Sequence, residues 1–347
     1  MITLKKICRA YSKALPVVAT LILTPLFTGC EKDEVQPSDE SANYLVTTIA
    51  GSGTGGSSVD AQFNNPNALA TDSEGNVYVV DAGNFSIRKI TSTGTVSTVA
   101  GGEQGYEDGE GSAAQFFSPN GVAVGLQGNI YVADATRVRK ITASGMVTTL
   151  AGNLTPGLAD GTGVSASFNS IGAIAADQQG TVYVMDNVFY GPDSPPYGSR
   201  IRKISPTQDV TTFYTHSAIF NGLALDSHEN IYTIEEGFLE SYIQKITPAK
   251  TVTKFATIPS SGVIDVSSQD IIHITGFTTD FSYNYEKVYR ITDKGKYIAI
   301  AGGVTGFADG NGNTAQFSSP AGLTTDVSGN IYVADRSNNR IRKINKK

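Results

Sequence analysis

A short alternating pattern of apolar and polar residues returns along this chain at intervals of roughly fifty residues. The clearest copies read Gly-Asn-Val-Tyr-Val-x-Asp or close to it, at residues 75–81, 128–134, 180–186 and 329–335. Two weaker copies lie between them, at residues 230–235 and 270–275. Because no single unit of this size can bury both faces of a sheet, six copies of it indicate a repeat architecture.

Each copy is flanked by further short runs rich in Val, Ile, Thr and small residues. A small apolar run precedes the block, as in residues 121–124, and an Ile-Arg-Lys-Ile run follows it, as in residues 87–90. A fourth run, as in residues 96–100, ends the unit, and turns rich in Gly and Ser separate the runs. No amphipathic helical stretch follows residue 40. Four short strands per unit at this period predict the blades of a β-propeller.

The sixth unit has only three of its four runs, because Lys347 follows its third run directly. The missing run lies at the other end of the domain, where residues 45–51 copy residues 147–152. The sequence therefore predicts an all-β, six-bladed β-propeller with four antiparallel strands per blade. We expect the N-terminal strand to complete the last blade and close the ring, which removes open sheet edges.

The motifs of the unit resemble the NHL-repeat family of six-bladed propellers. The resemblance rests on the Phe63-to-Asn67 segment, the Tyr-Val-x-Asp block and the Ile-Arg-Lys-Ile run. It also rests on Asp-Gly-x-Gly linkers followed by Phe, at residues 108–111, 160–163 and 309–312, which we interpret as structural turns that anchor a buried ring. The resemblance covers residues 45–345 and implies the fold, but propellers host many unrelated activities.

The first thirty residues have the layout of an export signal. A basic start at residues 5–13 precedes an apolar stretch, residues 14–28, that is shorter than the about 20 residues a membrane-spanning helix needs. The stretch ends in Leu-Phe-Thr-Gly-Cys30, which resembles a bacterial lipobox and implies lipidation of Cys30. Residues 31–34 resemble the acidic tag of surface lipoproteins in Bacteroidetes-type bacteria. An ordinary signal peptide with an unmodified cysteine stays open as the alternative.

These segments define the expected domains. We expect a lipoprotein signal peptide at residues 1–29, a flexible polar tether at residues 30–43 after the lipidated cysteine, and the propeller at residues 44–347. The protein is then exported, anchored in the outer membrane by its lipid alone and displayed at the cell surface. Cys8 and Cys30 are the only cysteines, so the mature domain has no disulfide.

The charge balance argues against a nucleic-acid partner. The four basic residues of the signal leave 22 basic and 32 acidic residues in the remainder of the chain, a net charge of −10. Phosphate contacts need clustered Lys and Arg, whereas the Arg-Lys pairs here recur once per blade. We interpret those pairs as solvated strand faces that pair with acidic neighbours. We expect a monomer.

Two sets of residues are candidates for a binding site on one face of the ring. In a propeller the loops before the first strands and those between the second and third strands share a face, over the mouth of the channel. Asn67, Asn120 and Asn221 immediately precede first strands and can hydrogen-bond a polar ligand. The alternative is that they satisfy turn backbone, as Asn readily does. The acids that end the second strands recur too regularly for a unique site, and we interpret them as turn braces.

The second set lies in loops that neighbouring blades enlarge. From the acid of the block to the last Ile of the third strand takes 9 residues in blade one, but 18, 11 and 16 in blades three, four and five. Aromatic rings with nearby carboxylates suit sugar stacking or peptide capture. The alternative is that the loops pack on one another as a lid. The aromatic candidates are Phe189, Tyr190, Tyr197, Phe238, Tyr242, Phe281, Tyr283 and Tyr285.

Catalysis has weak support in the sequence. Three scattered histidines do not have the spacing of a zinc site, and we expect His216 near the channel, His228 in solvent and His273 within a strand. A lactonase-type divalent-ion site needs an acid beside the amides, and Asp265 is the nearest candidate. The sequence therefore favours a non-catalytic binding or scaffold propeller for a glycan or protein, without a cofactor. A metal-dependent lactonase or lyase at the channel mouth, with a bound divalent ion, stays open as the alternative.

Overall fold

The computed structural model describes residues 39–53, 62–188, 198–237, 240–259, 262–279 and 284–347, and for residues 126, 277–279, 284 and 285 it describes the backbone only. Within these ranges the chain is strand and loop, with six isolated 3₁₀ turns at Ser41–Asn43, Ala82–Asn84, Gly111–Ala113, Leu126–Gly128, Gly163–Ser165 and Arg336–Asn338. None of the helical turns in this part of the chain has the length and apolarity that a membrane crossing requires.

The described residues form strands of two to eight residues. In chain order they are β1 (Tyr44–Ala50), β2 (Pro66–Thr71), β3 (Val77–Asp81), β4 (Ser86–Ile90), β5 (Val96–Gly101), β6 (Gly109–Glu110), β7 (Pro119–Val124), β8 (Ile130–Asp134), β9 (Arg137–Ile141), β10 (Met146–Gly152), β11 (Gly161–Thr162), β12 (Ile171–Ala176), β13 (Val182–Val188), β14 (Gly198–Ile204), β15 (Asp209–His216), β16 (Phe220–Leu225), β17 (Ile231–Glu235), β18 (Ser241–Ile246), β19 (Val252–Ile258), β20 (Ile264–Val266), β21 (Ile272–Thr279), β22 (Asn284–Ile291), β23 (Tyr297–Val304), β24 (Gly310–Asn311), β25 (Pro320–Thr325), β26 (Ile331–Asp335) and β27 (Arg340–Lys346).

Six antiparallel sheets make up the ring, which confirms the predicted all-β, six-bladed propeller. From the channel outwards, blade 1 is β2-β3-β4-β5, blade 4 is β16-β17-β18-β19 and blade 5 is β20-β21-β22-β23. Blade 2 is β7-β8-β9-β10, blade 3 is β12-β13-β14-β15, and blade 6 is β25-β26-β27-β1. These last three blades each add a fifth, two-residue edge strand, namely β6, β11 and β24. The Asp-Gly-x-Gly linkers supply these edge strands, so their structural interpretation is confirmed.

The N-terminal strand closes the ring as the sequence predicts. Strand β1 pairs along its length with β27, with Tyr44 opposite Lys346 and Val46 opposite Ile344. The segment before β1 also reaches the neighbouring blade 5. The backbone N–H of Glu40 donates to the Ala299 carbonyl, and its carboxylate pairs with Arg290 at 3.2 Å. The N-terminal segment therefore joins two blades rather than one.

Apolar side chains fill the seam between each blade and the next. In the seam between blades 1 and 2, for example, Tyr78 and Val80 pack against Val122 and Val132. Similar clusters fill the other five seams among the described residues. In four blades a phenylalanine just before the inner strand is wholly buried. These residues are Phe63, Phe116, Phe168 and Phe317.

A buried ion pair fastens the linker before each regular blade onto that blade. In blade 2, Arg139 is fully buried and lies 3.2 Å from Asp134, the acid that ends the second strand. The guanidinium also donates to the carbonyls of Glu107 and Gln115 in the linker, and Asp134 accepts the backbone N–H groups of residues 117 and 118. We call this Asp–Arg pair, with its linker contacts, the latch. It recurs as Asp81–Arg88, Asp186–Arg202 and Asp335–Arg342.

The latch corrects one expectation and confirms another. The acids brace turns as predicted, but the interpretation of the Arg-Lys pairs as solvated faces is wrong for the arginines. Arg139, Arg202 and Arg342 have no exposed surface, and each guanidinium lies over the buried phenylalanine of its blade. A periodic pattern does not reveal this burial, because an arginine in a strand usually faces water. The adjacent lysines are half-buried.

Blades 4 and 5 replace the latch with other pairs. In blade 4, Gln244 donates to Glu235 at 2.5 Å, so the contact is kept with less charge. In blade 5, Ile274 pairs with Tyr289, which places Tyr289 where the latch arginine lies in other blades. The same register places Gly276 at the position of the acid that ends the second strand in other blades. The repeat at residues 270–275 placed Thr275 there, so that alignment is wrong by one residue. Blade 5 therefore has neither charge of the latch.

We predict a large loss of stability when one partner of a latch is removed. Replacing Arg139 by Met leaves Asp134 buried without its counter-charge, which costs about 3–5 kcal/mol in the free energy of unfolding. Urea unfolding followed by circular dichroism measures it. Lys140→Met, at the next position of the strand, is the matched control and should change the free energy by about 0.5 kcal/mol or less. A loss under about 1 kcal/mol for Arg139→Met would contradict a stabilising role for the latch.

Candidate binding site at the mouth of the central channel

The six inner strands surround a channel of 1290 Å³. Backbone and small side chains of these strands line it, as in the Gly121-to-Val124 run of blade 2. Glycine is required where neighbouring inner strands approach each other. A Cβ on Gly121 would lie 2.4 Å from the Gly172 carbonyl oxygen, and one on Gly322 would lie 2.5 Å from that of Asn67. The ring is therefore packed closely around an open passage.

The two faces of the ring differ in what they carry. The face that we call the loop face bears the blade linkers and the loops from second to third strands. The opposite face, the turn face, bears the turns from first to second strands, such as residues 72–76 in blade 1. Val46 pairs with Ile344, and Ile344 pairs with Ile331. Ile331 is the first residue of β26 and directly follows a turn on the turn face. Residues 39–43 therefore lead into the ring at the turn face.

The three candidate asparagines lie together around the channel on its loop face. All three line the channel and are half-buried. Asn67 donates to the backbone carbonyl of Asn120 across the seam at 2.9 Å, and Asn221 donates to Glu236 at 2.5 Å. Asn120 has a longer contact, 3.5 Å, with Ser118. The Asn67 amide thus joins blades 1 and 2, whereas the amides of Asn120 and Asn221 contact groups of their own blades.

The aromatic candidates are placed only in part. Tyr242 lies in β18, half-buried, with the Lys254 ammonium 3.5 Å above its ring, and it does not line the channel. Tyr285 lies in β22 opposite Thr278 and Val304. The remaining sequence candidates lie outside the described residues: Phe189, Tyr190, Tyr197, Phe238, Phe281, Tyr283 and the lipidation candidate Cys30. The aromatic platform stays a prediction.

The described residues that line the channel carry a strong negative excess. Six acids line it, namely Asp72, Asp177, Asp226, Glu229, Asp265 and Glu286, against one base, Arg336. The first three accept hydrogen bonds from their own turns on the turn face. The passage therefore favours polar or cationic groups over anions.

Glu286 and Arg336 are mouth residues that the sequence analysis did not identify. Glu286 lies in β22, in a hairpin that extends above the ordinary strand ends of blade 5, and it is 8 % exposed. One oxygen accepts a hydrogen bond from Thr305 at 3.3 Å, and the carboxylate also accepts the Ser319 backbone N–H. Burial raises the pKa of Glu286, and the nearby Arg336 acts in the opposite direction. The long loop of blade 5 was the sequence signal for this position.

A second aromatic feature lies at the blade 1 to blade 2 linker. The rings of Tyr106 and Phe117 stack at 4.7 Å, and the Arg137 guanidinium lies 4.6 Å from the Tyr106 ring. Phe307 and Arg340 form a similar stack before blade 6, at 3.8 Å. The predicted aromatic residues for ligand binding lie in blades 3 to 5. These two stacks were not predicted because they belong to the linkers between blades.

Blade 5 also carries a polar cluster in its seam with blade 6. In four blades the second residue pair from the turn face is Ala opposite Tyr, and in blade 6 it is Thr opposite Tyr. Blade 5 has Asp265 opposite His273 there. Thr325 of blade 6 lies 3.2 Å from the His273 Nδ1 atom and donates to Asp265. Burial raises the pKa of Asp265 to about 7 and lowers that of His273 to about 4.

The other histidines and the metal hypothesis can now be located. His228 is exposed, as predicted, and His273 lies within a strand, as predicted. His216 ends the outer strand β15 and does not itself line the channel, but its ring stacks at 4.5 Å on Phe220, which does. Across the described ranges, no group of three or more His, Cys, Asp or Glu is placed to hold a metal ion.

Comparisons with known proteins agree with this architecture. The NHL repeat family model matches residues 63–90 and 317–344, and the model of the teneurin NHL domain matches residues 102–157. Human teneurin-4 is 26% identical over 80% of this chain. The chain spans 10% of the length of that relative. The protein is a six-bladed β-propeller in which segments of blades 1 and 6 match the NHL repeat.

Solved structures share the fold at low sequence identity. A gluconolactonase from Xanthomonas campestris is 13% identical with a TM-score of 0.63, and the match covers 90% of this chain and 94% of that one. An auxiliary nutrient binding protein from Bacteroides ovatus is 16% identical with a TM-score of 0.58, covering 88% and 77% of the two chains. At these identities the likeness shows a common fold and carries no activity across.

We predict that the Asp265 cluster gives stability a distinct pH dependence. A raised pKa means that the folded state favours the protonated carboxyl, so its contribution is complete below the ordinary value and is lost as pH rises through about 7. Asp265→Asn should therefore match the wild-type melting temperature near pH 4 and exceed it by several degrees at pH 8.

Two further variants separate this effect from general charge changes. The lowered pKa of His273 has the opposite sign, because stability is lost as pH falls from its ordinary value towards about 4. His273→Gln should therefore gain over the wild type at the acidic end. Asp293→Asn, at an exposed turn, should follow the wild type at every pH. An Asp265→Asn difference that does not grow with pH would refute the assignment.

Proposed function

We propose that the protein is an exported, non-catalytic binding propeller that holds a polar ligand, a glycan or a protein, over the channel mouth on its loop face. The observation that supports this best is the open channel itself. Amide and carboxylate groups from different blades, including Asn67, Asn120, Asn221 and Glu286, surround one opening. Ligand sites in proteins are concave and place a few polar groups around such an opening.

The irregular blades support recognition at one side of this mouth. Blades 3, 4 and 5 have the longest segments from the acid position of the second strand to the end of the third strand, which in blade 5 form an extended hairpin of β21 and β22. Blades 4 and 5 also lack the charged latch. A regular repeat fixes the scaffold, whereas departures from it free positions for other side chains. The Bacteroides ovatus protein that shares this fold is an auxiliary nutrient binding protein. That similarity is consistent with a binding role for this chain.

The charge of the channel narrows the ligand. Carboxylates accept hydrogen bonds from hydroxyl and ammonium groups, and amides both accept and donate them. Polyanions are repelled by the excess of acids over bases in the channel. A neutral or positively charged glycan, or a protein segment with basic residues, fits this surface. The metal-dependent lactonase or lyase alternative has no supporting contact in the described ranges.

We further propose that a lipid on Cys30 anchors the protein in the outer membrane and displays it at the cell surface. Residues 39–43 reach the ring at the turn face, opposite the proposed recognition face.

Removing the proposed lipidation site should release the protein. We expect Cys30→Ala to move the protein from the detergent phase to the aqueous phase in Triton X-114 partition. Cys8→Ala, in the expected signal peptide, is the matched control and should leave the mature protein in the detergent phase. Equal partition of the wild type and Cys30→Ala would show that no lipid is attached there.

Ligand binding is tested with a polysaccharide and oligosaccharide array together with capture of surface proteins. We expect replacement of Tyr190, Tyr283 and Tyr285 by Ala to weaken binding at least tenfold, since each stacked aromatic side chain contributes about 1 kcal/mol. Tyr106→Ala, at a linker outside the enlarged loops, is the control and should bind as the wild type does. Undiminished binding by the triple variant would remove the case for recognition by these loops.

A further inference from the structure

We propose that Glu286 anchors a subsite for a primary ammonium group at the channel mouth. This inference rests on the proposed binding function and narrows its ligand to one that carries a free amine. Two kinds of ligand have this chemistry, an amino sugar and a lysine side chain. The argument depends on the burial of Glu286, on its incomplete hydrogen bonding and on the charges around it.

Glu286 is more than nine-tenths buried and lines the channel. Its Oε1 atom accepts the Thr305 hydroxyl, and Ser319 donates its backbone N–H to the carboxylate. Its Oε2 atom is buried and has no hydrogen-bond partner among the residues that the structure describes. A buried carboxylate oxygen without a donor is costly, so a donor supplied from outside the chain would be stabilising there.

The surroundings do not supply the missing positive charge. Arg336 is the one base among the described channel-lining residues; it is exposed and has no ion pair with Glu286. Asp335 is also nearby, but its charge is balanced by Arg342 in the latch of blade 6. A cation from outside would therefore gain both a charge-assisted hydrogen bond and the attraction of an unbalanced negative field.

The local geometry allows the carboxylate to meet such a group. The hydrogen bond from Thr305 is 3.3 Å long, well beyond the usual length for a hydroxyl donor, so it resists rotation of the carboxylate only weakly. The terminal torsion of Glu is also soft. A small rotation presents an oxygen to the channel. An ammonium group is compact and has three donors, which suits a single carboxylate at a narrow mouth better than a planar guanidinium does.

The test is isothermal titration of the full chain with amine-bearing and amine-blocked probes. Chitotriose, which has free amines, is compared with tri-N-acetylchitotriose, and trilysine is compared with its side-chain-acetylated form. We expect a free-amine probe to bind at least tenfold more tightly than its acetylated form. Glu286→Gln should abolish that preference. The melting temperature of this variant verifies that it is folded, and it should not fall because the substitution removes a buried unbalanced charge.

Two variants act as matched comparisons. Glu229→Gln removes one charge from the same channel near the turn face and should keep the amine preference. Arg336→Gln removes the competing positive charge and should tighten amine binding severalfold. Preference for trilysine alone assigns the amine to a protein ligand, and preference for chitotriose alone assigns it to a glycan; both results support the subsite.

Three results would overturn the inference. They are equal binding of free and acetylated probes, an unchanged preference in Glu286→Gln, and no binding of either free-amine probe. None of them decides the broader proposal, because a ligand found on the array that binds without an amine leaves the binding propeller standing. Absence of any ligand that depends on the loop face would instead reject both.

Discussion

The geometry of the loop face depends on the buried Asp–Arg ion pair of the latch. In four blades a buried arginine on the third strand contacts the acid at the end of the second strand and the carbonyls of the preceding linker. Ionised groups are tolerated in such a place when they are paired and hydrogen-bonded, and movement of the linker would take its carbonyl acceptors away from the buried guanidinium. The linker leads directly into the inner strand. The latch thus sets the position of the residues that surround the channel, including Asn67 and Asn120.

The two blades without this ion pair, blades 4 and 5, depart from the repeat at positions that are available for a functional site. Blade 5 has Tyr289 and Gly276 at the latch positions, and its hairpin extends to present Glu286 at the mouth. The same blade places Asp265 opposite His273 where other blades have a small residue and a tyrosine. A seam with a buried carboxylate and a buried imidazole is less stable than an apolar one. Such concentrated local cost is typical of positions that serve a ligand.

Much of the fold was predictable from the chain, and less of the site was. Strand period, small inner-strand residues and the copy of a fourth run at residues 45–51 were enough for six blades and their closure, because these are properties of single strands. The burial of Arg139 and its equivalents was not, because it depends on a linker folding back over the strand. In blade 5 the one-residue alignment error arose because His273 takes the place of tyrosine and glycine the place of the acid. Glu286 was missed because the long segment of blade 5 marks the region but does not show which of its residues is buried at the mouth.

The pairing of β1 with β27 has a kinetic consequence. Leu45 lies opposite Asn345, so the last contact of the ring joins residues at nearly the full separation that the domain allows. Closing so long a segment carries a large entropy loss before any contact compensates for it, and topologies rich in distant contacts fold slowly. Until that moment β27 has an open edge, and the N-terminal strand has no sheet to join. The order of events is therefore imposed by connectivity: five blades can assemble from neighbouring sequence, and the sixth must wait for both termini to meet.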